Sequence, residues 1–387
     1  MWMYFDFRSW FKMLRLAWRE QNPRNRRRLL FSLLITVPVV ASLHAVCFFL
    51  DPILFPGLKR TQIRTPVFIV GHARSGTTHL HRLMSRDAER FSAFLLYELS
   101  FPSLLEKQLI RWVAGFDRRW LGGAIEARVK KLEERKFRAT RDMHYQSFTE
   151  PEEDDGILTS SCASGTWIVR LPYLDALDFY HVDRRPERQR RRLMRFYAEC
   201  VRRQLYLNGP GNKIHLSKNP VFVGRLESLL ETFPDARIVV PFRNPEETIP
   251  SLLKLMQMAW RLRKWSDAEM QRSLRVLAEQ SFHTYTYPLE VLARHPETPH
   301  AIVDYNELVA EPKLVIERVY AELGLPVTPR FQRVLLAEQQ KAKQHETSHR
   351  YSLEEFGLRS DELRTRLAGL FERFHWKQDE PREAGKA

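Results

Sequence analysis

The sequence predicts an α/β fold, a parallel sheet flanked by helices, preceded by an N-terminal membrane-associated helical segment. Three observations carry this. A glycine loop sits between a short apolar strand and a helix start within residues 66–84. Two further short strands, at 213–218 and 237–243, each end in a cation. Near the N-terminus, Leu29 to Leu50 is a run of 22 residues without a formal charge.

The apolar run exceeds the roughly 20 residues that a bilayer-spanning helix needs, though Pro38 and His44 interrupt it. Ahead of it the chain is rich in Trp, Tyr and Phe and then in Arg, which suits a headgroup layer and an anionic leaflet. This front is too long and too aromatic for a cleavable signal peptide. The positive-inside rule keeps Arg24 to Arg28 in the cytoplasm, so a true span would place everything after Leu50 outside. Yet the chain has no Asn-x-Ser/Thr acceptor site and no plausible cystine pairs. A re-entrant or interfacial hairpin bent at Pro38, with both flanks cytoplasmic, is the expectation for segment 1–64. A type II span is the alternative, and a buried core helix is the bland one.

The composition sets outer limits. With 387 residues, 44% apolar and 28% charged, the chain can bury a core and is neither disordered nor polytopic. Cys47, Cys162 and Cys200 are odd in number and far apart, which excludes a disulfide scaffold, and no pattern suggests zinc. Of the net charge of +15, residues 1–28 supply +6 and residues 184–203 supply +7. The remainder is nearly balanced, so the surplus points to an anionic membrane surface. Nucleic acid is not an expected partner, because no zinc-finger, RNA-recognition or homeodomain pattern is present.

The first strand is PVFIVG (66–71), which runs into GHARSGTTHLHRLM, in which Gly71 and Gly76 are five apart. Strand, glycine loop and helix start aim backbone N–H groups and the positive helix end at a phosphate. The nucleotide-hydrolase version of this loop carries a lysine after its second glycine. Here that position is Thr77, and the cation is Arg74. The anion cradle remains, but an ATPase or a phosphate-loop kinase loses the group that follows the β- and γ-phosphates.

The second strand is KIHLSK, ending at Lys218, and the third is RIVVPFR, ending at Arg243 before a turn and a helix that carries Ser251. Arg74, Lys218 and Arg243 thus stand at the carboxyl ends of three strands, the edge where open α/β sheets bind ligands.

These residues resemble the PAPS-dependent sulfotransferases over about residues 65–360. RSGTT resembles their 5′-phosphosulfate loop, FRNPEETIPS their 3′-phosphate motif with Arg and Ser eight apart, and SKNP their central lysine element. SHRYSLEEFGL (348–358) looks like a late donor-contacting loop of the branch that holds many bacterial and lipid-directed members. The resemblance implies a phosphate-loop-type fold, the donor PAPS and no metal. It implies that Arg74, Ser75, Gly76, Thr77 and Thr78 hold the 5′-phosphosulfate, and that Arg243 and Ser251 hold the 3′-phosphate. Arg350 and Tyr351 would add donor contacts, and Lys218 would offset charge on the bridging oxygen.

Sulfuryl transfer to an alcohol also needs a base. Cytosolic members of the family use a His in Thr-His-Leu-Pro, but counting from Arg243 makes Lys218 the family lysine and leaves His215 a register-shifted strand residue. Protein-tyrosine and heparan-type members use a Glu after the loop cation. Glu98, 24 residues after Arg74 in an apolar, aromatic run, is therefore the expected base, with a salt-bridged structural Glu as the bland reading. His79 and His81 read as structural. His144 and the acidic TEPEEDD (149–155) could line the acceptor site, the run being otherwise a solvated face.

The expected enzyme is thus a membrane-associated sulfotransferase with its catalytic domain at 65–387, cytoplasmic, and its acceptor-binding helices at about 101–210. Its acceptor would be a lipid-like alcohol. The alternatives are a lumenal type II glycan or peptide sulfotransferase and, from other classes, a kinase or a noncatalytic basic membrane adaptor. The basic helix at 184–203 reads equally as a lipid-docking element and as a core-packed helix with a solvated Arg face.

Overall fold

A computed structural model describes residues 3–137, 147–209, 213–342 and 352–376. Its core is one five-stranded sheet in the order β2 (Phe91–Ser92), β3 (Ile214–Lys218), β1 (Val67–Ile69), β4 (Arg237–Phe242), β5 (His300–Asp304). Every pairing is parallel. Ile69 is in register with Lys218 on one side and Val239 on the other, so the carboxyl ends of β3, β1 and β4 share one edge.

Strands in such a sheet are covered on both faces and read as continuous apolar runs, which is what Val67–Ile69 is. The residues alternate between two apolar clusters. Phe68, Val70, Ile238 and Val240 pack into the larger. Val67, Ile69 and Val239 pack into the smaller, with Leu80 and Leu83 of the helix Thr77–Ser85 and Val315 and Val319 of the helix Pro312–Glu322. On the larger side lie the helices Glu187–Leu207, Pro245–Leu262 and Asp267–Arg294.

The basic helix at Glu187–Leu207 is core-packed: Leu193, Met194, Phe196, Tyr197, Cys200, Val201 and Leu205 are all buried. Its arginine face is not wholly solvated either. Arg203 is buried and ion-paired to Asp51 and Glu199.

The first 64 residues do not form a body apart. Met13, Ala17, Leu29, Leu33, Val37 and Phe48 belong to the same apolar cluster as the sheet residues. Nor does Pro38 make a hairpin. The chain is helical without a break from Pro23 to Leu54. At Ser32–Thr36 the helix widens into one π turn, in which the Val37 N–H reaches back to the Ser32 carbonyl. This shift of the ladder accommodates the missing N–H of Pro38 just beyond it.

The acidic run 152–155 is no solvated face. Glu152, Asp154 and Asp155 are buried, each against a partner: Glu152 with Lys218, Asp154 with His215 and Tyr197, Asp155 with Arg225. A buried charge is costly unless paired, and these partners come from other elements. His144 lies outside the described residues.

Candidate functional site

Two residues of the loop after β1 have left-handed backbone, Arg74 at φ 73° and Gly76 at φ 85°. A non-glycine residue there is strained by about 1–3 kcal/mol, and such strain persists where the surroundings over-determine it. At Gly76 a side chain is also excluded by space, since a Cβ would fall 2.6 Å from Cδ2 of Tyr305. Gly71 is similarly tight, 2.9 Å from the Pro241 carbonyl. The buried Ser75 hydroxyl donates to the His72 carbonyl at 2.6 Å and closes the turn, after which Thr77 begins the helix. Alternating backbone of this kind forms an anion-binding concavity at a helix N-terminus.

The two expected donor motifs meet. The Arg74 Nε donates to the Ser251 hydroxyl at 3.1 Å. Arg243, half-buried, pairs with Glu247 and lies over the Tyr305 ring at 4.3 Å. Tyr305 therefore touches both the loop, at Gly76, and the cation of the other motif. It begins the short helix after β5. Tyr285 supports the same corner: its hydroxyl donates to the Arg243 carbonyl at 2.8 Å and bonds the Thr248 hydroxyl at 2.5 Å. Arg350 and Tyr351 lie outside the described residues.

The two expected catalytic groups, Lys218 and Glu98, are both buried and already partnered. Lys218 is at the strand edge, but its ammonium is buried between Glu153 at 3.0 Å and Glu152 at 3.3 Å. Burial pulls its pKa down, and the two carboxylates outweigh that and hold it above the ordinary lysine value. Its charge is already offset from the side of 152–153.

Glu98 is not the lone carboxylate its apolar surroundings suggest. It is fully buried, and both oxygens accept: Oε2 from Gln204 at 2.7 Å and the Leu95 N–H at 3.0 Å, Oε1 from Tyr97 at 3.2 Å and Arg111 at 3.4 Å. Arg111 comes from the next helix, Leu104–Trp120, and Gln204 from a helix 106 positions away, so neither partner is announced by the sequence around Glu98. His215 lies in β3, buried against Asp154 at 2.8 Å. His79 is exposed and His81 buried on the loop helix.

A residue no sequence pattern pointed to occupies the loop itself. His72 is buried and stacked on Tyr285 with ring centroids 5.1 Å apart. Neither ring nitrogen has a hydrogen-bond partner among the described residues. Burial pushes its pKa down to about 4, slightly opposed by the Ala73 backbone, so the ring is neutral at pH 7. His72 and Ala73 line a cavity of about 100 Å³ whose other walls, among them Tyr180, Val221, Leu252 and Leu277, are mainly apolar. The cavity thus adjoins the phosphate loop at the carboxyl edge of the sheet.

Comparison with known proteins agrees with this arrangement. A family model described as the Sulfotransferase family matches residues 66–329. The omega-hydroxy-beta-dihydromenaquinone-9 sulfotransferases Stf3 of Mycobacterium bovis and Mycobacterium tuberculosis are each 29% identical over 275 residues, 67% of this chain. The match spans 63% of the length of those relatives. Among solved structures, sulfotransferase STF9 from Mycobacterium avium superposes with a TM-score of 0.72 at 20% identity, covering 96% of this chain and 93% of that one. STF1 from Mycobacterium tuberculosis gives 0.61 at 20% identity, covering 94% and 92%. With its matched region extending over more than half its length, from the first strand through β5, the chain belongs to the sulfotransferase family.

Proposed function

We propose that the protein transfers a sulfuryl group from PAPS to a hydroxyl of a hydrophobic, lipid-like acceptor at a membrane, with its catalytic domain on the cytoplasmic side. The observation that carries this is the meeting of Arg74, Ser251 and the Tyr305–Arg243 stack beside a mainly apolar cavity. The loop from Arg74 to Thr78 would hold the 5′-phosphosulfate, and Arg243 with Ser251 the 3′-phosphate. The acceptor oxygen forms a new bond to sulfur as the bond from sulfur to the bridging oxygen breaks, its electron pair leaving on the nucleotide. The hydroxyl proton must go to a base near the loop.

His72 meets that requirement better than Glu98. It is neutral, it lines the cavity, and its nitrogens are unengaged, whereas Glu98 accepts four hydrogen bonds. A bound polyanionic donor would raise the His72 pKa from its depressed value and make it a stronger base. The apolar lining favours an alcohol on an apolar chain, and the relatives are named for a hydroxylated menaquinone.

The test is transfer from sulfur-labelled PAPS into a lipid extract by purified, detergent-solubilised protein. Label should enter an organic-soluble product, and PAP should bind more tightly than ATP. Tighter binding of ATP would sink the reading.

A further inference from the structure

Among the described residues 24 large apolar side chains are exposed, and 20 of them fall in two stretches, twelve in Phe7–Leu54 and eight in Leu109–Leu132. The two stretches adjoin. The helix Val37–Leu54 packs against the helix Leu104–Trp120, which in turn packs against Ala124–Phe137. Trp18, Trp112 and Trp120 are 73%, 66% and 67% exposed. Contiguous apolar surface of this kind marks an interaction site, and tryptophan suits the headgroup level of a bilayer. All eight Lys and Arg residues of 1–28 are exposed beside it, a complement to anionic lipid.

The long helix has two faces. Leu29, Leu33, Val37, Ala41, His44, Phe48 and Asp51 form one stripe buried against the rest of the protein, while Val39, Leu43, Val46 and Ile53 are exposed on the other. Both ends of the N-terminal segment are tied to the same globular body. On the near side the Asp6 N–H donates to the Ser161 carbonyl at 2.8 Å, and the Tyr173 hydroxyl donates to Glu20 at 2.6 Å. On the far side Asp51 accepts from the Ser103 hydroxyl, the Leu104 and Leu105 N–H groups and Arg203, at 2.6–2.9 Å. A spanning helix would place these ends on opposite sides of about 30 Å of hydrocarbon. One set of bonds would have to break and leave Asp51 or Glu20 uncompensated.

We propose that the helices within Phe7–Leu54 together with the hairpin 104–137 form a single one-sided platform that lies in the plane of one leaflet of an anionic phospholipid bilayer. The helix at 23–54 then does not cross, and its two flanks face the same side. This rests on the membrane part of the proposed function, and in place of the hairpin at Pro38 expected from the sequence it puts an in-plane helix with a second wall. The wall is the hairpin 104–137, which no apolar run in the sequence announces.

Two experiments on the full chain test it. In sealed membrane vesicles, single cysteines Gln21→Cys and Lys59→Cys, with wild type as the blank, are challenged with an impermeant maleimide. Equal labelling from one side is expected, and labelling from opposite sides overturns the proposal. In flotation with phosphatidylcholine–phosphatidylglycerol vesicles, Trp112→Glu with Trp120→Glu should lower the bound fraction about tenfold or more, because two exposed tryptophans that would insert are lost to the interface. Flotation equal to wild type removes the hairpin from the platform. A wild type that does not float and instead forms a stable dimer in solution makes a second copy the occupant, and the proposal fails. PAP binding by the same variants, measured in detergent, should be unchanged. Its absence from wild type would defeat the donor reading without touching the vesicle result.

Discussion

Arg74 and Ser251 stand 177 positions apart in the chain and are joined by a 3.1 Å hydrogen bond from guanidinium to hydroxyl. The bond places the phosphate loop of β1 and the helix after β4 at one corner, with Tyr305 packed between Gly76 and Arg243 as its floor.

If that corner holds the donor, removing its cation weakens nucleotide binding while the fold stays intact. Arg243→Ala should lower PAP affinity about 10- to 100-fold, the equivalent of one or two charge-assisted hydrogen bonds. Ser251→Ala should cost less, about fivefold to tenfold. Calorimetric titration with PAP checks both, and equal affinity in all three proteins would contradict the assignment.

The proton is tested by two substitutions read together. His72→Phe keeps the stack on Tyr285 and should reduce kcat about 10²- to 10⁴-fold with PAP affinity unchanged. Glu98→Gln should lower Tm and retain transfer, because the carboxylate's four donors make it part of the packing. Loss of transfer in Glu98→Gln with Tm and PAP binding intact would return the proton to Glu98.

Asp51 tests the attachment of the N-terminal helix. It neutralises the buried Arg203 and caps the helix that begins at Leu104. Asp51→Ala leaves a buried guanidinium short of its partner and should destabilise the protein by about 3–5 kcal/mol. Replacing both residues, Asp51→Leu with Arg203→Met, should recover part of that. Thermal denaturation of the single and double variants decides it; no recovery would mean the ion pair is not the cause.

Acid should destabilise the fold through its histidines. Burial holds His72 at about 4, His81 at about 3 and the half-buried His283 at about 4, all below the ordinary 6.5. Between these values the unfolded chain binds protons the folded chain does not, so stability is intact above pH 6.5 and falls as pH drops toward 4. His72 alone contributes about 3 kcal/mol across the window. Tm measured from pH 7 to pH 4 should decline, and less steeply in His72→Phe. A flat profile would exclude these rings as the cause.

What could be read from the chain was local. Strand, glycine loop and helix start are adjacent in sequence, and the backbone chemistry that cradles an anion is complete within residues 66–84. Arg243 and Ser251 were legible for the same reason, a fixed spacing across one turn and one helix. Glu98 and the acidic run at 152–155 were not. Composition shows a charged residue but not the partner that buries it, and Gln204, Lys218 and Arg225 all come from elements far along the chain.

The N-terminal segment divides the same way. By its apolar length and basic flank, the sequence alone determined that residues 1–64 suit a membrane. Only the tertiary structure decided how. A helix that buries one stripe against the domain and is tied at Asp6, Glu20 and Asp51 has its orientation set by contacts between distant residues, and no hydropathy pattern encodes those. His72 came to notice on the same ground: one histidine among thirteen in the chain, its neutral ring and open nitrogens follow from the apolar walls that other elements fold around it.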